Sequence, residues 1–274
     1  MAGVAILSLA LIPSVGQAVA GTKAAPSSTG AETLPDFDAR YDAPGVRRVI
    51  ATREAVLNAR PKAGLRTLRN QLGIQGIVDM DGLTATPRRV ARVDGFLTGR
   101  SAKKPATIAL DYVRARPDVF GLSAAEASRL TLRKDYVDIA GTHHLSFVQT
   151  VNGVPFFGNG LKAHVAKNGR LIQIDGSNVA DVPASFAAPR LSATQAYQAA
   201  AEDIFSKAKA TAIRTGTDAA RTTEFSNGDR AQLVLFKTVG GIRTGWQTVS
   251  MDVGYLHVVD AETGKTLFRR NLVE

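Results

Sequence analysis

The stretch THHLSFVQTVNGVPFFGNGLKAHVAKNGRLIQIDG, residues 142–176, constrains the fold more than any other part of the chain. It sets three Asn-Gly steps, Asn152-Gly153, Asn159-Gly160 and Asn168-Gly169, between short runs rich in β-formers. Asn-Gly tolerates positive φ at two successive positions, which a type I′ hairpin turn requires. Repeated at this spacing, the steps predict an antiparallel meander with a turn at each.

The rest of the chain supplies helices and a second meander. Val46, Val49, Ile50, Val56 and Leu57 recur at helical spacing opposite Arg47, Arg48, Arg53 and Glu54, and Leu65, Leu68 and Leu72 mark a second short helix closed by Gly73. Residues 76–96 predict a hairpin around Asp81-Gly82, and 98–105 (TGRSAKKP) a linker. Ile108, Ala109, Tyr112 and Val113 share a helix face that Pro117 terminates; Ser123 then opens a short helix through Leu130, and Val137 and Ile139 form a strand ended by Gly141. Beyond a Pro-bounded connector at 182–189, Ser192 and Gln195 form a capping box for a helix carrying Tyr197, Ala200, Ala201, Ile204 and Ala208. Residues 215–230 read as loop. Four strands follow, at 231–239, 242–253, 255–259 and 265–272, the last two joined through the turn Asp260-Ala261-Glu262-Thr263-Gly264. The acidic-aromatic patch 36–42 (DFDARYD) is assigned to no element.

Composition narrows the function classes. The chain has 274 residues and no cysteine, which removes disulfides, thiol catalysis and thiolate metal sites. The net charge of +10 is uneven: residues 1–104 hold 15 Lys/Arg against 8 Asp/Glu, and 105–274 hold 19 against 16. Nucleic-acid binding normally adds stacking aromatics among the basic residues, and here Phe37 and Tyr41 alone lie near them, so a solvated basic face is the stronger reading. At the N-terminus an apolar run at 2–12, Pro13 and Ala18-Val19-Ala20 predict a signal peptide over 1–20. It is truncated, because no Lys or Arg precedes Lys23, and it is too short to span a bilayer.

Catalytic signatures fail one by one. No His-Glu-x-x-His exists, and His143 and His144, being adjacent on a strand, point to opposite faces; with His164 and His257 they read as satisfied or exposed histidines. Gly264-Lys265-Thr266 has Val259 where a P-loop needs glycine, and Gly158-x-Gly160 has Ala163 where a dinucleotide loop needs its third. No G-x-S-x-G elbow is present, and Asp135 and Asp138 are ordinary strand-end acids.

With these alternatives gone, the meander resembles the fungalysin/thermolysin propeptide domain. The residues that carry the likeness are Gln149, Asn152-Gly153-Val154-Pro155, Phe156-Phe157, Gly158 and Asn168-Gly169, within roughly residues 96–180. Residues 190–274 look like a PepSY-type propeptide module, on Leu191-Ser192, Trp246 and the Asp260–Gly264 turn. The resemblance implies an α+β fold of two related halves, each a helix packed on an antiparallel β-meander (cystatin-like or PepSY-like), behind a partly helical basic N-terminal arm at 21–95. It implies a secreted zymogen's inhibitory and fold-assisting prodomain, with a metallopeptidase catalytic domain as partner in cis or in trans. Zinc and catalysis are then expected only in that other domain, so no catalytic, cofactor or metal residue is carried over, and no nucleic-acid partner is expected. The family-motif residues Gln149, Asn152, Gly153, Pro155, Phe157, Gly158, Trp246, Asp260 and Gly264 would serve structure or docking. Arg269 and Arg270 would mark a processing site, unless they are plain strand-end charges. The competing reading is a stand-alone extracytoplasmic PepSY-type binding or regulatory module.

Overall fold

Asn152 and Gly153 both take positive φ, 49° and 81°, and turn the strand 143–151 straight back into 154–165. That is the tight hairpin expected of Asn-Gly. The computed structural model describes residues 34–273; the signal-peptide reading at 1–20 and residues 21–33 of the N-terminal arm lie outside them.

In chain order the strands are β1 (Phe37–Asp38), β2 (Gly76–Met80), β3 (Pro87–Arg92), β4 (Leu130–Val137), β5 (His143–Val151), β6 (Val154–Val165), β7 (Leu171–Asp175), β8 (Ala212–Thr215), β9 (Thr223–Phe225), β10 (Arg230–Thr238), β11 (Gly241–Ser250), β12 (Tyr255–Asp260) and β13 (Thr266–Asn271). The helices are α1 (Val46–Ala59), α2 (Ala63–Leu72), α3 (Pro105–Arg114), α4 (Pro117–Phe120), α5 (Ala124–Ala127) and α6 (Ala193–Asp203). The fold is α+β, with few helices on a large, mostly antiparallel sheet. One path runs β1-β13-β12-β11-β10-β6-β7-β3-β2, with β5 and β4 branching from β6, and β9 and β8 from β10.

Two helices explain the two main cores. Pro105 opens α3 at a position where its missing N–H costs nothing, and Ile108, Ala109, Tyr112 and Val113 pack on Leu145, Phe147, Leu161 and Ile174 of the first meander. Ser192 Oγ accepts from the Gln195 amide while Gln195 Oε1 accepts from the Ser192 amide, closing the predicted capping box of α6. Its small-residue face, Ala193, Ala196 and Ala200 with Tyr197, then lies on Leu233, Trp246 and Val259 of the second meander.

Several sequence expectations need correction. Asn159-Gly160 makes no turn: it lies inside β6, where the chain bulges instead. Asn168-Gly169 does turn the chain from β6 to β7, but positive φ falls on Gly169 alone, at 75°, so the turn is not type I′. The helix expected from Ser123 to Leu130 stops at Ala127, because Leu130 already pairs with Gln149 in β4. Ile139 sits in the turn after β4 and is fully exposed. The second capped helix stops at Asp203, before Ile204 and Ala208, since Phe205 takes a φ of 55° that no helix continues through. Residues 215–230, read as loop, contain β9 and its turn into β10, while β8 ends at Thr215. That turn is a fourth Asn-Gly step, Asn227-Gly228, with Gly228 at φ 87°. The unassigned patch 36–42 carries β1, which pairs Phe37 with Arg269 and Asp38 with Phe268.

The N-terminal arm is therefore split. Its first described residues complete the sheet of the second meander, whereas β2 and β3 extend the first through β7. Between them α1 rests on Leu83 through Val46 and Ile50, and its arginines face outward.

Candidate functional site

Six of the family-motif residues, Gln149, Asn152, Gly153, Pro155, Phe157 and Gly158, lie where the two meanders join. Strand β6 pairs with β10 in parallel at Phe156 and Leu235, while its far end pairs with β5 and β7. Within the β5–β6 ladder, Val148 pairs with Gly160 and Thr150 with Pro155, so Gln149 alone stands opposite residues 156–159. This irregular bulge bends β6 from its pairing with β10 to its pairing with β7.

The bulge frees the Gln149 side chain to act as a strand partner. Its Nε2 donates to the Val179 carbonyl and its Oε1 accepts from the Val179 amide, both at 2.8 Å and both buried. Asn152 Nδ2 donates to the Ala184 carbonyl at 2.7 Å, so the tip of the same hairpin holds the connector leaving the first meander. A side chain at Gly153 would meet Ala219 Cβ at 2.8 Å. Pro155 stands next to the bulge, paired with Thr150.

Phe156 and Phe157 point to opposite faces of the joint. Phe156 packs with Val151, Val179 and Leu235. Phe157 stacks on Phe236 at 5.9 Å and meets Phe268 edge-on at 4.8 Å. Over this aromatic set lies Arg40 from the N-terminal arm, its guanidinium 5.0 Å from the Phe236 ring centre and donating to the Phe157 carbonyl at 3.3 Å. Asp38 accepts from Arg40 Nε and Nη2. Gly158, at φ 73°, leaves the space Arg40 needs, since a Cβ there would lie 2.7 Å from Nη1.

The other motif residues stabilise the second meander. Trp246 is buried and its Nε1 donates to the Leu191 carbonyl at 2.8 Å, fastening the start of α6 to the sheet. Burial pushes the Asp260 carboxyl up, but Arg243 at 2.8 Å and the amides of Thr263 and Glu262 outweigh it and hold it below the usual carboxylate range. Gly264, at φ 76°, closes that turn with its amide on the Asp260 carbonyl. Arg269 lies in β13, paired on one side with His257 and on the other with Phe37, and bonds Asp203 and the Pro35 carbonyl; Arg270 follows it, beside Asp36.

The histidines behave in two ways. His143 faces Asp135 at 2.9 Å, and His144 faces away from it towards His164, as adjacent strand positions must. His257 departs from the expectation that all four are satisfied or exposed: it is wholly buried, and neither ring nitrogen makes a hydrogen bond. Asp203 Oδ2 stands 3.3 Å from its Nε2 but out of line for one. Burial lowers the His257 pKa despite that carboxylate.

Among the described residues, no three His, Cys, Asp or Glu side chains converge as ligands of one metal ion, and no helix is long and apolar enough to cross a membrane. A cleft of about 510 Å³ and mixed character opens beside the bulge, lined by Arg133, Asp175 and Gln247 as well as by Val148, Phe156 and Phe157.

Comparison with known proteins assigns the class of the first meander. Residues 128–178 match the Fungalysin/Thermolysin Propeptide Motif, so this part of the chain is a propeptide region rather than a catalytic domain. The match covers β4 to β7, including the bulge and the clamping residues Gln149 and Asn152, whose partners Val179 and Ala184 lie beyond it. Among curated proteins, the chain is 27% identical over 190 residues to thermostable neutral protease NprT of Geobacillus stearothermophilus, covering 66% of this chain and 33% of that protein. It is 31% identical over 174 residues to bacillolysin of Bacillus amyloliquefaciens, covering 60% and 30%. The chain thus spans about a third of the length of these curated relatives. The Bacillus megaterium YpeB C-terminal domain aligns over 72% of this chain and 76% of its own, at 12% identity and a TM-score of 0.33.

Proposed function

We propose that this chain is the inhibitory and fold-assisting prodomain of a secreted zinc metalloendopeptidase, covering the catalytic cleft until it is processed. The observation that carries the reading is the propeptide match at 128–178, set within longer alignments to two neutral proteases. A domain that binds the folded form of a protease stabilises that form by mass action while it excludes substrate.

In this reading 1–20 is a leader, 21–95 an arm, 96–180 the fungalysin/thermolysin propeptide-like domain and 190–274 a PepSY-like domain related to it. The support for two comparable halves is the recurrence of one helix on an antiparallel meander, α3 on β5–β7 and α6 on β10–β12. Gln149, Asn152, Phe157, Gly158, Trp246 and Asp260 make contacts within the chain, so their role is to build the docking scaffold rather than to touch the partner. In this reading zinc belongs to the partner domain. Processing at Arg269-Arg270 would first require β13 to leave its two neighbouring strands.

The test is to add the chain in trans to the isolated catalytic domain of a thermolysin-type neutral protease. Inhibition at micromolar concentration, with a higher yield of active protease on refolding, is the expected result. Loss of neither activity nor misfolding overturns the proposal, and binding without inhibition favours a stand-alone regulatory module.

A further inference from the structure

On the face of the first meander turned away from α3, strand register places Tyr136, His144, His164 and Gln173 in one row across β4, β5, β6 and β7. The two imidazoles meet directly, His144 Nδ1 lying 2.7 Å from His164 Nδ1. Each outer nitrogen faces a carboxylate: His144 Nε2 is 2.9 Å from Asp138, and His164 Nε2 is 3.5 Å from Asp175. Asp138 also accepts from the amides of Ala140 and Thr142, so it shapes the turn between β4 and β5. Asp175 is held by Gln173 and by Arg89 of β3.

Counting protons along Asp138–His144–His164–Asp175 shows what this row can hold. Its three links take three protons, which is one neutral imidazole and one imidazolium sharing the central hydrogen. A fourth proton puts N–H groups on both Nδ1 atoms, pointing at each other across 2.7 Å. No hydrogen bond survives that arrangement, and two like charges then face each other. The remaining charges near the pair are Lys162, beside His164 on β6, Arg89, bonded to Asp175, and Lys134, 5.9 Å from the Tyr136 ring. His143 and Asp135 pair with each other. No described third side chain joins the two histidines as a metal ligand, so the chemistry here is proton sharing.

We propose that this row is an acid-operated latch: one shared proton closes it, and a second parts the rings and loosens the turn between β4 and β5. Burial first, then the charge of His144, lowers the pKa of His164, which agrees with His164 resisting that second proton. Its folded value lies below its unfolded one, so the closed form loses stability as pH falls below about 6.5. This goes beyond the prodomain reading and stands without it.

The experiment is an imidazole nitrogen NMR titration of the full chain, with hydrogen exchange of residues 136–145 referenced to α6. His144→Gln should shift the His164 midpoint upward, and His143→Gln should leave it in place. Between pH 7.5 and 5.5 the wild-type turn should lose protection relative to α6, and neither His144→Gln nor His164→Gln should show that loss. Independent titration of the two rings overturns the latch. Equal loss of protection in wild type and both variants overturns it as well, as does no loss in any.

Discussion

Gln149 and Val179 exchange two hydrogen bonds of 2.8 Å across thirty positions of sequence, a side-chain amide taking the place of a strand. The pair ties the propeptide-type hairpin to the connector that leads into the second meander, and both residues are buried. Gln149→Ala strands a buried N–H and a buried C=O together, a loss of about 2–4 kcal/mol. Urea denaturation should register it as a lower midpoint with unchanged slope. A loss within experimental error would mean that water replaces the side chain.

Arg40 is the closure of the aromatic joint. Arg40→Ala removes its bonds to Asp38 and the Phe157 carbonyl and its packing over Phe236, with an expected cost of about 1–3 kcal/mol. Gly158→Ala should also destabilise, through its positive φ and through contact with Arg40. In an Arg40→Ala background the contact part disappears, so the two changes should be less than additive. Full additivity would show that backbone strain accounts for the whole Gly158 effect.

Acid should weaken the fold through His257. Its folded pKa is lowered by burial, so the unfolded chain binds the extra proton first, and stability falls as pH drops below about 6.5. The slope for one excluded proton approaches about 1.4 kcal/mol per pH unit. His257→Gln should flatten the dependence of unfolding free energy on pH between 7 and 5.5 without abolishing it, because His164 shifts in the same direction. An unchanged slope would place the acid sensitivity elsewhere.

Trp246 is the lone tryptophan and packs under α6, so intrinsic fluorescence reports the second meander. Far-UV circular dichroism reports both. The shared strand β6 and the clamps at Gln149 and Asn152 couple the two, and the transitions should coincide. Two separated transitions would identify independent folding units.

Much of the architecture was legible because it rests on local chemistry. The Ser192–Gln195 box, Pro105 at the start of α3 and Asn152-Gly153 at the hairpin tip each act within a few residues. The bulge is not legible in sequence for a physical reason: Asn159-Gly160 carries the same letters as a turn, and only the pairing of Val148 with Gly160 and Thr150 with Pro155 makes it something else. Asp36–Asp42 was opaque because Phe37 finds its partner at Arg269, and no local pattern records that. The His144–His164 contact was hidden in the same way. Adjacency in sequence links His143 to His144, whereas strand register brings together His144 and His164, twenty positions apart.

The pairing of β1 with β13 has a consequence for synthesis. Arg269 reaches the Pro35 carbonyl across 234 positions, so residues 35–38 must wait for β13 to be translated before they find their partner. Until then the edge of Phe37 and the aromatic surface of Phe157 and Phe236 lack the strand and the Phe268 ring that cover them. Closure of this sheet waits until β13 has been made, and until then these apolar surfaces are exposed to aggregation.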